Sequence, residues 1–514
     1  MASQTRSSED IDVKVAISGH EEGSKLRIGE ALAEFSEEEI NKAWRKVDWH
    51  IMPIAVLLYL ASYIDRRVSS TSSTSNNRIH CSNQNLFRAN IGNYNWALSV
   101  FFIGYVINET PSNILLKRLR PSYYIPSLAV TWGVICALFA VVQTPAGLFG
   151  IRFFLGLAEA GFLPGIIFWV GSWYPRHLQG RRYSVLYSSV SLTGAFGGLL
   201  ATAIHSLDGN HGIAGWRWIF IVEGVVTIGL GLLSFVFMPD YPITAHWLTE
   251  REKCIINLSN KADRALLAEE GFNKKQIISA FTDWRTYLWG VLYLSASNQR
   301  FHTTYIPVYS VILSLPSVVG GSGYKGTTAT LMACPPYGFG FIIVLLAGYT
   351  TDRFGRRYWH VIFGCCMTMT ALIVLMSVED LSVRYGMFFI VMFMFVHIAV
   401  EWSWLAGNVA GSNKRAAATG LIFSSGNIGG AVSGQIYRAE WAPLFVNGHA
   451  VNLGCYVVAL ISATVLWWSF RRDNQLRDRV AGEQELEEPA KEKGMLGEQL
   501  GDLGDRHPSY RYLL

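Results

Sequence analysis

Two charged residues, Arg152 and Glu159, interrupt an apolar stretch of the sequence. They are seven positions apart, or two helical turns, so both would project from one helix face about 10 Å apart. Arginine keeps its proton and suits the binding of a carboxylate, whereas a desolvated glutamate can exchange a proton. Charges at membrane depth usually face a cavity and carry a function. The pair predicts anion binding at Arg152 and proton transfer at Glu159, with a structural ion pair as the alternative.

A second titratable pair, His397 and Glu401, lies one helical turn apart in another apolar stretch. A proton relay is one interpretation of this spacing. Glu401 falls near the predicted end of its helix, so its carboxylate could instead reach the membrane surface, and we favour that interpretation. Asp65 and Arg66, at the end of the first apolar segment, are further weak candidates.

A short polar sequence joins two apolar segments and contains Gly348, Asp352, Arg353, Gly355, Arg356 and Arg357. A helix ends there, and a glycine permits a tight turn. The Asp352 carboxylate can pair with neighbouring guanidinium groups and with helix ends. This pattern predicts a tight polar turn held by the contacts of Asp352, and a solvated basic loop is the alternative.

Twelve segments of the sequence are long and apolar enough to predict membrane spans, since a spanning helix needs about 20 mostly apolar residues. They lie near 50–65, 94–116, 122–142, 147–173, 183–205, 216–238, 285–314, 327–349, 358–377, 384–405, 416–437 and 449–470. Six plus six predicts an all-α polytopic membrane protein of two six-helix halves, with substrate held between them.

The remaining residues divide the chain further. We predict a tail with an amphipathic helix over 1–48, six-helix halves over 49–238 and 285–470, a charged linker over 239–284, and a disordered tail over 471–514. Glycine clusters around Gly194 and Gly426 predict close helix packing within each half.

Positive charge is concentrated in the loops on one side of the predicted spans, for example at Lys117, Arg181 and Arg353. The opposite loops are nearly free of lysine and arginine, apart from the stretch 67–93. The positive-inside rule therefore predicts a multi-pass protein with both termini in the cytoplasm. We expect the plasma membrane rather than an internal membrane.

The composition argues against a soluble enzyme. Only 16% of the 514 residues are charged and mean hydropathy is +0.25, whereas soluble chains are about 25% charged. Seven scattered cysteines lack the spacing of a zinc site or a disulfide framework. No nucleophile–base pair, metal cluster or phosphate loop is visible in the sequence. We expect no enzyme activity, no cofactor besides a coupling proton, and no nucleic-acid partner.

The loop around Asp352 resembles the signature loop of the major facilitator superfamily, and this resemblance implies that its residues gate one side of a transporter. The run 152–165, RFFLGLAEAGFLPG, together with 94–105 and 173–175, is similar to the fungal anion:cation symporter family. That family includes permeases for allantoate, nicotinate, pantothenate and biotin. The resemblance implies that Arg152 contacts substrate and that Glu159 handles protons.

One departure from that family lies after the first span. The family pattern runs on without a break where this sequence separates Arg66 from Asn90. We interpret 67–88 as a retained intron or a gene-model error, with lineage-specific loop variation as the alternative. A non-functional splicing product is therefore one possible outcome for this chain.

These observations predict a monomeric secondary active transporter in the lipid bilayer, importing a small organic anion with protons by alternating access. The alternatives are a uniporter or exporter of a neutral solute on the same fold, and a nutrient sensor that binds without transport.

Overall fold

The computed structural model describes residues 31–74, 91–205, 207–264, 274–293, 327–409, 411–433, 444–487 and 510–514. Within these ranges the chain forms α-helices, short 3₁₀ turns and no strand. The first half contains α1 (Glu37–Thr74), α2 (Ile91–Arg118), α3 (Pro121–Leu138), α4 (Pro145–Glu159), α5 (Phe162–Trp173), α6 (Gln179–His205) and α7 (Gly215–Phe237).

Two linker helices and a second set of membrane helices follow. The linker forms α8 (Glu250–Arg264) and α9 (Lys274–Thr282). The second half contains α10 (Trp284–Tyr293), α11 (Thr327–Phe354), α12 (Arg357–Ser377), α13 (Leu381–Val391), α14 (Met394–Asn408), α15 (Ser412–Ser433) and α16 (Val446–Glu487). This is an all-α membrane fold of two six-helix halves, as the sequence predicts.

Eight stretches of the described residues are long and apolar enough to cross a membrane. Two of them, 146–173 and 381–408, each join two consecutive helices. Of the other predicted spans, α2, α6 and α15 are long enough but more polar, and the seventh is described only to Tyr293.

The first helix is longer than the sequence indicates, because the predicted amphipathic helix and the first span are one continuous α1. It begins with a reciprocal capping box in which the backbone N–H of Glu39 donates to Ser36 Oγ and that of Ser36 donates to the Glu39 carboxylate. Its backbone stays helical to Thr74, so the proposed insert 67–88 starts within this helix. Residues 75–90 lie outside the described ranges.

The two halves pack most extensively through two helix pairs, α2 against α15 and α6 against α11. In the first pair, the Asn427 amide donates to both carboxylate oxygens of Glu109, and the Asn113 amide donates to the carbonyl of Ala416 at 2.6 Å. In the second pair, a Cβ on Gly194 would collide with the ring of Tyr337. Gly194 thus permits close packing between the halves, rather than only within one half as predicted.

The predicted disorder of 471–514 is wrong for two parts of that segment. Helix α16 continues past the apolar stretch to Glu487, since its polar residues leave the membrane without a helix-breaking proline or glycine before Gly482. Residues 510–514 pack against the end of the bundle, where Tyr510 and Tyr512 are buried. We call that end, which holds Asp48, Arg182, Arg357 and Lys414, the basic end.

Candidate functional site

A cluster of buried polar side chains lies inside the first half, where α1, α3 and α7 meet. The Asp65 carboxylate accepts hydrogen bonds from Trp132 Nε1 at 3.1 Å and from the Thr227 hydroxyl at 3.4 Å. Ligand atoms of Asp65, Cys136 and Glu223 lie within 4.8 Å of one another. Two carboxylates this close repel each other when both are ionised, so the cluster favours a shared proton or a cation.

The predicted pair Arg152 and Glu159 borders this cluster. Arg152 is 5% exposed, and its guanidinium lies 5.1 Å from the centre of the Phe139 ring. Glu159, the last residue of α4, is fully buried and close enough to Asp65 for their charges to interact. The structure thus brings both predicted residues and the weak candidate Asp65 into one region. The side chain of Arg66 lies outside the described part of the chain.

Charge balance singles this region out. The described side chains comprise three carboxyl groups, those of Asp65, Glu159 and Glu223, against the single guanidinium of Arg152. Neither oxygen of Glu223 has a hydrogen-bond partner among the described residues. An ionised Glu223 carboxylate is costly in a buried region where no described group donates to it. The arrangement can therefore hold protons, or an anion beside the guanidinium once some carboxyl groups are protonated.

Glycines position these residues by letting helix α4 touch helix α2. A Cβ on Gly156 would collide with the carbonyl oxygen of Phe101, and one on Gly104 would collide with that of Phe153. A Cβ on Gly161 would collide with the hydroxyl of Ser112. The predicted fourth span is broken here into α4 and α5, which places Glu159 at a helix end.

The gating motif lies at the seam between the halves, at the basic end. Asp352 Oδ2 accepts a hydrogen bond of 2.9 Å from the backbone N–H of Arg181, at the start of α6 in the opposite half. N–H groups in the first turn of a helix lack intrahelical partners and carry partial positive charge, so a carboxylate there is stabilising. Gly348 permits the close approach, because a Cβ there would lie 2.5 Å from that of Ser184.

Arg357 also bridges the seam. It is 4% exposed and donates from Nη2 to the backbone carbonyl of Arg176 in the first half, at 2.7 Å. Its Nη1 donates to the carbonyl of Ser403 in the second half, at 3.0 Å. One guanidinium therefore holds main-chain groups from both halves.

The other members of the motif form the turn between α11 and α12. Gly355 has φ +63°, a conformation that favours glycine. Arg353 and Arg356 are exposed at this turn. Of the predicted gating residues, Gly348, Asp352 and Arg357 thus contact the opposite half, whereas Arg353 and Arg356 face outward.

Two ion pairs at the basic end occupy equivalent places in the two halves. Arg182, in the first turns of α6, donates to both carboxylate oxygens of Asp48 at 3.0 and 2.9 Å. Lys414, at the start of α15, lies 2.7 Å from Asp283, which immediately precedes α10. Burial alone would raise the pKa of Asp283, but the Lys414 ammonium and the N–H of Arg285 bring it below its ordinary value.

An aromatic layer joins the halves above these ion pairs. Trp402 lies edge-on to Tyr187 and Tyr59, with ring centres 4.9 and 6.0 Å apart. Its indole N–H donates to the Tyr293 hydroxyl at 3.1 Å. These four buried side chains come from α1, α6, α10 and α14, two from each half. The sequence analysis missed them, because aromatic residues are common throughout the spans.

His397 and Glu401 lie inside the second half, facing α12. Both are buried, with exposed fractions of 0% and 1%, so the preferred interpretation that Glu401 reaches the membrane surface is wrong. Their side-chain nitrogen and oxygen atoms have no hydrogen-bond partner in the described part of the chain. Helix packing explains the burial of this pair. Gly364 lets α12 contact His397 and exclude solvent from it.

Comparison with known proteins agrees with this architecture. A family model described as Major Facilitator Superfamily matches residues 48–434. The chain is 30% identical over 494 residues to the MFS-type transporter cnsO of Penicillium expansum, covering 93% of this chain and 92% of that one. It is 31% identical over 446 residues to the MFS transporter prlL of a fungal species, covering 84% of this chain and 87% of that one.

A solved structure shares the fold. It is that of the MFS proton:xylose symporter XylE bound to 6-bromo-6-deoxy-D-glucose, with a TM-score of 0.62. The match covers 82% of this chain and 95% of XylE at 16% sequence identity. At this identity the likeness concerns the fold alone.

Proposed function

The chain belongs to the Major Facilitator Superfamily, and from that premise we propose that this membrane transporter carries a small organic anion together with protons by alternating access. Within the superfamily we assign it to the anion:cation symporters, on the motif around Arg152 and Glu159. The substrate class is a carboxylate vitamin or an allantoate-like compound. The alternating movement separates the two halves at one end of the bundle while they close at the other.

The observation that carries this proposal is the grouping of Asp65, Glu159 and Glu223 around Arg152, an excess of acidic over basic groups among the side chains that the structure describes. Arg152 binds the substrate carboxylate, because a guanidinium stays charged and offers paired donors. Glu159 carries the coupling proton, and Asp65 and Glu223 share the negative charge of the region. When a proton neutralises a carboxyl group here, repulsion of an incoming anion falls. Proton and anion therefore favour each other's binding, which is what symport requires.

The gating assignment rests on the contacts at the seam. Asp352 on the N-terminus of α6, and Arg357 between Arg176 and Ser403, stabilise closure of the basic end. We place the basic end in the cytoplasm, from the excess of positive charge in its loops. Arg353 and Arg356 contribute to this charge and form no hydrogen bond or ion pair with the opposite half in the described ranges.

The test is substitution of Arg152 by glutamine, in cells lacking their own permeases and supplied with radiolabelled monocarboxylate vitamins and ureides. We expect uptake to fall by at least about 100-fold, because a charge-assisted pair to a buried carboxylate contributes about 3 kcal/mol. Normal uptake by Arg152→Gln would overturn the assignment.

Arg384 provides the matched control, since it is equally buried but donates to main-chain carbonyls of Leu375 and Val378 at the end of α12. We expect Arg384→Gln to lower the melting temperature and to leave the KM for substrate unchanged. An equal rise in KM for both variants would mean that Arg152 acts only through packing.

A neutral solute is the second candidate, and the aromatic layer favours it. The rings of Tyr59, Tyr187 and Trp402 are uncharged and offer flat faces between the halves. A substrate without charge would stack there and need neither Arg152 nor a proton. Uptake that is independent of pH and is retained in Arg152→Gln would support this candidate over the anion symporter.

A further inference from the structure

Residues 510–514 are seated on the basic end by side-chain and main-chain contacts together. Tyr510 and Tyr512 are 1% and 4% exposed, although they belong to a polar tail. The Tyr512 ring stacks on Phe470 with centres 4.5 Å apart and lies edge-on to Tyr510 at 5.2 Å. Burial of the two aromatic rings by itself stabilises the docking of residues 510–514, through apolar contacts.

Main-chain hydrogen bonds fix the register of this segment. The backbone N–H of Leu513 donates to Asn408 Oδ1 at 2.7 Å, and its carbonyl accepts from Trp404 Nε1 at 2.8 Å. The Asn474 side chain exchanges two hydrogen bonds of 2.9 Å with the main chain of Tyr512. These hydrogen bonds can form in only one register of residues 510–514 on the basic end.

The seated segment also touches the seam between the halves. The Tyr510 hydroxyl donates to the carbonyl of Gly407 in α14 at 2.9 Å, and the Arg176 guanidinium lies 5.0 Å from the Tyr510 ring. Arg176 belongs to the first half and itself donates to the carbonyl of Gly407. The carbonyl of Leu514 accepts from the backbone N–H of Arg357, a gating residue. Of these contacts, the one between the Arg176 guanidinium and the Tyr510 ring joins the segment to the first half, so opening the basic end would break it.

We propose that the basic end carries a docking surface for residues 510–514, formed by α14, α16, Arg176 and Arg357, and that the docked segment is a latch holding this end closed. The latch adds to the closure provided by Asp352 and Arg357. Its release favours the state open at the basic end. The inference is independent of which solute the protein carries.

The test measures the seam directly, with spin labels at His177→Cys and Gln475→Cys in a cysteine-free background. Both positions are exposed, one in each half at the basic end. We expect one short distance in the full chain. Deletion of residues 510–514 should raise the ratio of long to short distances about fivefold, since it removes the cation–π contact between Arg176 and the Tyr510 ring. An unchanged distance distribution in the folded deletion variant overturns the latch.

A peptide of residues 509–514, Ser-Tyr-Arg-Tyr-Leu-Leu, provides the converse arm. Added to the deletion variant, it should restore the short distance, whereas a peptide with both tyrosines replaced by alanine should not. Equal effects of the two peptides would contradict specific docking. Because no substrate is present, this result is independent of the proposed transport activity.

Single substitutions provide a second test in case the deletion variant does not fold. Tyr510→Leu removes the aromatic ring that Arg176 of the first half contacts, so we expect the open population to rise about fivefold. Arg511→Ala is the matched control, because Arg511 pairs with Asp478 on the exposed side of the segment. Equal behaviour of the two variants, or no change in either, counts against the latch.

Discussion

Asp283 and Lys414 form a buried ion pair that ties the start of α10 to the start of α15. The ammonium stabilises the charged carboxylate in the folded chain, which is why the pKa of Asp283 is lowered despite its burial. A carboxyl group with a lowered folded pKa stabilises the fold above its unfolded pKa, and this stability is lost as pH falls through the folded pKa. The pair therefore stabilises the protein at neutral pH and fails in acid.

We predict that Lys414→Met lowers the free energy of unfolding at pH 7 by about 3 kcal/mol, because it leaves a buried carboxylate without its partner. The double variant Asp283→Asn with Lys414→Met should recover part of this loss. The measurement is the melting temperature in detergent between pH 7 and pH 3. Below about pH 4 the melting temperature of the wild type should fall more steeply than that of the double variant. Parallel curves would show that the pair does not set acid stability.

At the residue scale, the sequence could predict only groups whose neighbours are local. Arg152 and Glu159 were identifiable because two charges stand out in an apolar helix, and the Asp352 motif because its members are consecutive. Asp48 with Arg182, by contrast, joins positions 134 residues apart. The proximity of Glu223 to Asp65 was likewise not predictable, since no spacing rule relates α7 to α1.

At the element scale, the contact of α2 with α4 sets the position of the candidate site. Small residues let two helices approach until their backbones touch, and Gly156 lies at such a point. We predict that Gly156→Ala lowers the free energy of unfolding by about 2 kcal/mol through overpacking. It should also impair transport, because α4 carries both Arg152 and Glu159.

Gly150 is the matched control on the same helix. A Cβ there meets nothing within 4 Å, so Gly150→Ala should be neutral or stabilising by up to about 1 kcal/mol, from helix propensity alone. Thermal unfolding of both variants checks the pair of predictions. If Gly156→Ala and Gly150→Ala had the same melting temperature, the assignment of a close contact between α2 and α4 would be wrong.

Helix existence was predictable from apolar length, whereas helix ends were not. The sequence indicates a fourth span over 147–173, but helix α4 ends at Glu159, close to the point where α2 contacts Gly161. It also indicates that helix twelve ends near 470, yet α16 runs to Glu487 because nothing in its polar continuation stops a helix. The first difference arises from helix packing, and the second arises from the absence of a helix stop signal.

At the scale of the whole molecule, the seam between the halves is closed at the basic end by contacts of different origin. Asp352 contacts a helix N-terminus, Arg357 holds carbonyls of both halves, and residues 510–514 cover the junction. A six-plus-six architecture was evident from hydropathy and charge alone. Which end is closed depends on contacts between segments that are distant in sequence. The docking of residues 510–514 was not predictable, because no sequence pattern distinguishes them from the rest of the polar tail.

The most direct test of proton-coupled anion transport uses purified protein in liposomes with an imposed pH gradient, alkaline inside, and a radiolabelled monocarboxylate that the cell screen identifies. We predict that a gradient of one pH unit drives accumulation up to about tenfold above the external concentration, the limit for one proton per anion. Glu159→Gln should abolish accumulation but still exchange internal for external substrate, since binding at Arg152 remains. Glu379→Gln, at an exposed acid, should behave as wild type. Wild-type uptake that merely equilibrates, or gradient-driven accumulation by Glu159→Gln, would contradict the account.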